Sequence, residues 1–527
     1  MVYPSYNPVR ADGWVGSAYP YGTGPTDTPF VRDALVHYMT GDWNTMAAVT
    51  NGTDYLRELH GRYLPQEPRE DDDAYNARIY RSVLSPYTLR LIENAAGMVL
   101  RRPVGIDGED YWKDFSANVD GIGSSINEYA RRALVSSLTY GHSCILVDFP
   151  RAEGVLTIAD EVRLDRRPYF NNVDAHEIWG WRQENTLPSS RLTQVRLHEW
   201  VNVPDGDFGE KREERMRVLY PGRYEVWDTE GRIESGRYSL PEIPLIPIYS
   251  NRMGMLTSKP PLVDIASLNL THYQRQADLI NALHIAANPI LVLEGWEDQP
   301  DGTSVGVNYG LSTVPGNKIY YVGADSSSFD AQQQEINELE QQMSSLGVTK
   351  LLGQKFVAES ADAKRIDQAQ ANSVLSIISM ELESALQQAY NVAALYVNRP
   401  APTIKLDRDF DFYRLLGQDV SVLGQLNAAG QITDKTFLEI LKSGEILPDT
   451  VDLQKELRET KALKKQKEAQ TRELLDSRSM GGSVGTRPTS EAPARTGSRS
   501  SNQSSSSPGT QTESSRQAQS RQRTSSN

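Results

Sequence analysis

The sequence predicts an α+β protein made of more than one folded unit, and three observations lead there. Helical periodicity runs through most of the 527 residues but gives way between 168 and 250 to period-two alternation punctuated by turn residues. A chain of this length exceeds what one ordinary hydrophobic core organises. Its composition, 38% hydrophobic and 24% charged, supplies a packed interior beneath an ordinary polar surface.

Residues 1–30 are rich in Pro, Gly and Tyr without periodicity and read as an extended arm. DAYNARIYRSVLSPYTLRLIENAAGMVL, 73–100, has helical spacing interrupted by Pro86, which predicts two helices because proline restricts its predecessor and donates no backbone amide. SSINEYARRALVSSLTYG then places Ile126, Ala130, Ala133, Leu134 and Leu138 on one helix face, closed by Gly141 before the buried-strand pattern CILVDFP. From 168 to 250 an antiparallel sheet is expected, with hairpin turns at Pro221–Gly222 and Glu230–Gly231.

The next stretch, LVDIASLNLTHYQRQADLINALHIAANP, has an apolar helical rhythm whose polar positions are largely amide, hydroxyl and imidazole groups. PILVLEGW and NKIYYVGA follow as strands, and AQQQEINELEQQMSSLG, 331–347, is a returning helix with Ile336, Leu339, Met343 and Leu346 on its apolar side. Residues 348–362 break the pattern and 363–397 resume it as a long, mostly buried helix. Two short helices come next, the second capped by Thr433, then a highly charged one. From Ser477 onward Ser, Gln, Thr and Arg dominate and disorder is expected, because little there can be buried.

Composition and motifs exclude several chemistries. A formal net charge of −14 argues against a basic face that grips nucleic acid tightly. The single cysteine, Cys144, excludes an internal disulfide framework and reads as a small core residue. Nothing approaches the roughly 20 apolar residues of a membrane span, and MVYPSYNPVR lacks an apolar signal core, so a soluble protein made in the cytoplasm is expected. No phosphate loop or HExxH motif is present, and no cofactor or metal is expected. His272 and His284, twelve positions apart on one helix, are too distant to share an ion within one chain. GIGSS, 121–125, reads as a loop leading into a helix, and the run Glu70–Asp73 as a solvated helix start.

The order of these segments resembles the portal proteins of tailed bacteriophages over roughly residues 30–475. The resemblance rests on TLRLIENAAGMVLRRP, EYARRALVSSLTYGHSCILVDFP, PPLVDIASLNLTHYQRQADLINALHIAANPILVLEG and AAGQITDKTFLEILKSGEILPD. It implies a portal-like architecture: after the 1–30 arm, an α/β wing at 31–258, stem helices at 259–287 and 331–347 flanking a small clip at 288–330, and a tunnel loop at 348–362. A long kinked wing helix would span 363–398 and a helical crown 399–476, with the 477–527 tail outside any standard region.

The implied role is non-enzymatic. A homo-oligomer, a dodecamer in that family, would form a ring at one capsid vertex of the virion after assembly in the host cytoplasm. It would pass double-stranded DNA during packaging and ejection and meet the major capsid protein, the terminase large subunit and a head–tail adaptor, with no membrane involved. In such a ring Asn269, Gln276, Leu279, Ile280 and Asn281 are expected at contacts between copies, since amides and apolar groups tolerate symmetry better than like charges. Glu335, Glu338 and Glu340 would form rings repelling phosphates, and Lys350 and Lys355 would make sparse DNA contacts. An oligomeric adaptor or scaffold of the virion is the alternative; a ring without a through-channel would favour it. An enzyme would need a cleft of convergent titratable groups that no spacing here reveals.

Overall fold

Gly141 turns the chain from a helix into a strand whose first six residues are all buried, and the first unit is arranged around that corner. The computed structural model describes residues 28–59, 61–150, 166–186, 189–287, 290–294, 318–322, 327–347, 361–408, 417–443, 446–447 and 451–480. The expected N-terminal arm, the Gly-rich loop between the clip strands, the 348–362 loop up to residue 360 and the tail beyond 480 lie outside them. The chain divides into two compact units, Met1–Phe412 and Tyr413–Asn527.

The helix Ile126–Tyr140 opens with a capping box, in which Ser125 accepts from the Glu128 amide and Glu128 reaches back to the Ser125 amide. It closes on Gly141 at φ +89°, a left-handed conformation glycine adopts without strain. A Cβ there would also lie 2.5 Å from Ser258 Oγ and 2.9 Å from the Lys259 backbone, so the corner has no room for a side chain. The strand that follows, His142–Asp148, runs antiparallel between Tyr169–Asp174 and Leu245–Tyr249, and Cys144 is buried within it with its thiol pushed well up by burial.

The predicted single sheet is thus two sheets. Tyr169–Asp174 and Leu245–Tyr249 pair with the buried strand, whereas Ile178–Thr186, Ser189–Asp205, Gly209–Tyr220, Arg223–Trp227 and Arg232–Arg237 form a separate five-stranded antiparallel meander. Alternation marks all of these strands equally, and pairing partners carry no local signal. The hairpin turns at 221–222 and 228–231 stand where Gly222 and Gly231 predict them.

Helices Ala34–Thr50, Tyr87–Val99 and Ile126–Tyr140 join the long helix Ala361–Val397 in one core. Pro86 separates Asp72–Arg81 from Tyr87–Val99 as predicted. The end of the long helix is locked by aromatic packing: the Tyr390 ring meets Trp112, Phe115 and Phe170 edge-on at 5.4–5.7 Å, and its hydroxyl lies 2.6 Å from Ser116 Oγ. Trp112 Nε1 donates to the Pro400 carbonyl, and Thr403–Lys405 pairs with Gly105–Asp107, so the stretch after the long helix belongs to this first unit and not to the C-terminal helices.

From this body the helix Val263–Ala286 leads to strand Ile290–Glu294, which pairs antiparallel with Lys318–Val322; the helix Ser327–Gly347 then returns, starting four residues earlier than predicted. The second unit contains helices Gly417–Ala428, Asp434–Ser443 and Leu453–Met480. Thr433 Oγ1 accepts the Thr436 amide as the expected N-cap, and Lys464 bonds both Asp434 oxygens at 2.8 Å. The charged helix continues through Ser477 to Met480, because Ser and Arg there cost little in a helix already propagating.

His142 makes the corner sensitive to acid. It is buried beside Trp43 and Tyr249, shares a 2.6 Å hydrogen bond with Ser258, and burial pushes its pKa down to about 4. An unfolded histidine titrates near 6.5, so between there and about 4 the native chain binds fewer protons and its stability falls as pH drops, by about 3 kcal/mol across the window. Urea midpoints of a His142→Gln variant should therefore vary less between pH 6.5 and 4.5 than the parent's; equal slopes would remove His142 as the cause.

Candidate assembly interface

The Val263–Ala286 helix spends its first two-thirds inside the body and its last turn outside it. Val263, Ile265, Ala266, Leu270, Tyr273 and Ala277 recur at three- and four-residue spacing and are all buried. Its polar groups are used on the same side. Asn269 is wholly buried; it accepts from the Thr88 amide and hydroxyl, each at 3.2 Å, and donates to the Ser85 carbonyl at 3.0 Å. These bonds satisfy the start of helix Tyr87–Val99, whose N-cap position is Pro86 and offers no capping side chain. Asn269 therefore acts within the chain, leaving none of its surface for a neighbouring copy.

A second anchor forms around Arg78, only 3% exposed. Glu70 receives its guanidinium through two bonds of 2.8 and 2.7 Å, the Pro65 carbonyl takes one at 2.8 Å, and Asp278 takes one at 3.3 Å. Hydrogen bonding from Arg78 holds the Glu70 carboxyl below its ordinary range, whereas burial raises that of Asp278 against the pull of Arg78. Of the acidic run expected to be solvated, Glu70 is thus an ion-pair partner, and Asp71 is the N-cap, accepting from the Ala74 amide. Arg81 adds a 2.7 Å bond to Asn281 Oδ1, and Gln274 donates to the Tyr63 carbonyl.

Polar contacts join the returning helix to the outgoing one. Glu335 meets Arg275 at 3.0 Å, and Glu340 meets His272 Nε2 at 3.2 Å. The Tyr87 hydroxyl also bonds Glu340, and burial together with that carboxylate pushes Tyr87 up to about 12. Glu338 accepts from Gln334 one turn earlier. Ile336 and Met343 are buried as predicted, whereas Leu346 is exposed.

The remaining residues singled out by sequence divide by depth. Leu279 is buried, Gln276, Ile280 and Asn281 are half-buried, and Gln276 Oε1 is enclosed without a hydrogen-bond partner among the described residues. Lys350 and Lys355 lie outside the described residues. Beyond Asn281 the helix exposes Leu283 and Ile285, and Tyr320 is exposed on the distal hairpin. Sequence reasoning missed Arg78 and Arg275: Glu70 lies eight positions before Arg78 but outside its helix, and Asp278 and Glu335 stand 200 and 60 positions away from their arginines, separations no helical periodicity records. Among the described residues no group of His, Cys, Asp or Glu could hold a metal ion, and no helix is long and apolar enough to cross a membrane.

Residues 261–397, which span the two-helix excursion and the long helix, match a family described as a domain of unknown function (DUF4055). No curated protein matches the chain. Among solved structures, a chain from the virion of a native gene transfer agent (GTA) particle is similar at 14% identity and a TM-score of 0.39, over 73% of this chain and 97% of that one. A chain from the neck of the native GTA particle, computed with C12 symmetry, shares 14% identity at a TM-score of 0.37 over 72% and 94% of the respective chains. One from the neck of the empty particle, computed with C6 symmetry, shares 15% at 0.36 over 73% and 97%.

Replacing Arg78 by Met would leave Glu70, Asp278 and the Pro65 carbonyl facing an apolar group. Urea unfolding should show a loss of about 3–5 kcal/mol, the cost of breaking a buried pair from one side. Arg78→Lys should recover only part of it, since an ammonium lacks the planar fork that two Glu70 oxygens match. Parent-like stability in the Met variant would show that the anchor contributes nothing.

Proposed function

We propose that this chain is the repeating subunit of a portal-type ring in a phage-like particle, a conduit for double-stranded DNA that needs no catalysis of its own. The observation that carries the reading is the order of elements in the first unit. A helix anchored in an α+β body leads out to a two-stranded sheet, a second helix returns beside it, and a 37-residue helix re-enters the same core. The far end of this excursion exposes Leu283, Ile285 and Tyr320, apolar surface that favours association with copies of itself.

Charge placement along the excursion fits a channel that does not grip DNA. With Glu335 paired to Arg275 and Glu340 hydrogen-bonded to His272, Glu338 is the expected channel glutamate bonded, among the described residues, to the uncharged amide of Gln334. Repetition around a ring would give a thin belt of negative charge that keeps a duplex centred instead of bound. In this reading Lys350 and Lys355 supply the salt-sensitive contacts, and capsid, terminase and adaptor dock on the outer surfaces.

Mass measurement and negatively stained images of the purified protein should show closed rings with a through-channel. Monomers, or rings with no channel, would refute the proposal, the latter favouring an adaptor or scaffold. Leu283→Ser with Ile285→Ser should leave the folded subunit within about 0.5 kcal/mol of the parent, because both residues are exposed, while lowering ring yield severalfold. Lys350→Ala with Lys355→Ala should leave rings intact and change DNA packaging or retention most at low salt; identical DNA content at every salt concentration would remove both lysines from the mechanism.

A further inference from the structure

The meander carries an arm. Ser189–Asp205 and Gly209–Tyr220 pair with neighbouring strands only up to Leu197 and from Met216, so residues 199–215 stand as a ribbon of two strands. At about 3.3 Å per residue the ribbon reaches roughly 20 Å beyond the sheet. A lone ribbon of this kind has little stability of its own in water. At its turn, DGDFGE, Phe208 is 102% exposed, with Asp205, Asp207 and Glu210 around it. A phenyl ring held fully in water forgoes about 1.5–3 kcal/mol of burial.

The same unit contains a cavity of about 1310 Å³ that has the opposite character. Six arginines line it against three carboxylates, with Arg215 also paired to Glu213 and Arg399 to Glu109 outside the lining, and its walls include Phe149, Tyr169, Tyr238 and Tyr396. Arg217 is fixed in it between Asp148 at 3.2 Å and Glu199 at 2.8 Å, while Arg237 stands exposed on the last strand of the meander. A basic, aromatic-walled cavity of this size accepts a phenyl ring with acidic residues beside it.

A chain cannot fill its own cavity with its own arm. Glu199, Val201 and Arg215, the base of the ribbon, form part of the cavity wall, and the tip lies about 20 Å further along a paired, extended ribbon. We propose that the ribbon tip docks in the cavity of a second copy of this chain, with Phe208 as the anchor and Asp205, Asp207 and Glu210 facing the arginines. Two different surfaces meet in such a contact, so repeating it in one direction produces a closed ring or an open filament, whereas reciprocal exchange between two copies would stop at a dimer. The inference rests on the ring reading above and adds which surfaces join neighbouring copies.

The test is a cross-link in the assembled full-length protein. A chain carrying both Asp207→Cys, next to the retained anchor, and Ser239→Cys, on the cavity rim, should under mild oxidation give a ladder of covalent oligomers on a non-reducing gel. Cys144 is buried and stays silent. Each single variant should give no ladder; a dimer from Asp207→Cys alone would mean that tips meet tips and would overturn the proposal. Phe208→Ala should raise the concentration at which rings dissociate by on the order of 30-fold, as expected for an anchor residue, with subunit folding unchanged. Rings that form but neither cross-link nor respond to Phe208→Ala overturn this contact alone. A parent that stays monomeric overturns the contact and the ring reading together.

Discussion

The Val263–Ala286 helix has to serve two environments, and most of what is distinctive in the first unit follows from fixing one of its ends. A 24-residue helix is about 36 Å long, more than the body beside it can bury. Its first part is held by apolar packing and by polar bonds that reach into other elements: Asn269 completes the start of helix Tyr87–Val99, and Asp278 and Asn281 receive Arg78 and Arg81. With that end fixed, the outer turn, the distal hairpin and the returning helix are carried as an extension of the body.

The amide-rich character of this helix gains a physical explanation that differs from the expected one. Asn269, Gln274 and Asn281 bond backbone and arginine groups of the same chain, where an amide can donate or accept as needed, and at the wholly buried Asn269 a lysine or glutamate would bury charge without compensation. Glu335 and Glu340 similarly face Arg275 and His272 on the adjacent helix. What the described part of the chain leaves exposed includes Leu283, Ile285 and Tyr320 on the outer surface, together with the aromatic tip of the meander ribbon.

Much of the fold was legible because helix signals are local. Pro86 between two helices, Gly141 after the Ile126–Tyr140 helix and Thr433 as a cap each act through their own backbone, so reading them needs no knowledge of distant partners. Strand pairing was not legible: Leu245–Tyr249 joins a strand a hundred positions earlier, and its alternation would suit the neighbouring meander equally well. The site was legible as a segment but not as a set of contacts. Arg78 lies on a short helix whose pattern announces only amphipathicity, yet it is bound simultaneously to Glu70, Pro65 and Asp278. Phe208 was passed over because a single aromatic in a turn is unremarkable until the ribbon that carries it is seen to stand alone.

If the proposed ring forms, a helix anchored in its own chain at one end and covered by neighbours at the other makes a directional demand on backbone protection. Hydrogen exchange followed residue by residue, on the assembled protein and on the same protein dissociated by dilution, measures it directly. Residues 263–278 should be equally protected in both states, because the chain itself buries them, while 283–287, 290–294 and 318–322 should lose protection on dissociation. Equal exchange of the outer segments in both states would contradict the claim that this excursion is where copies of the chain meet.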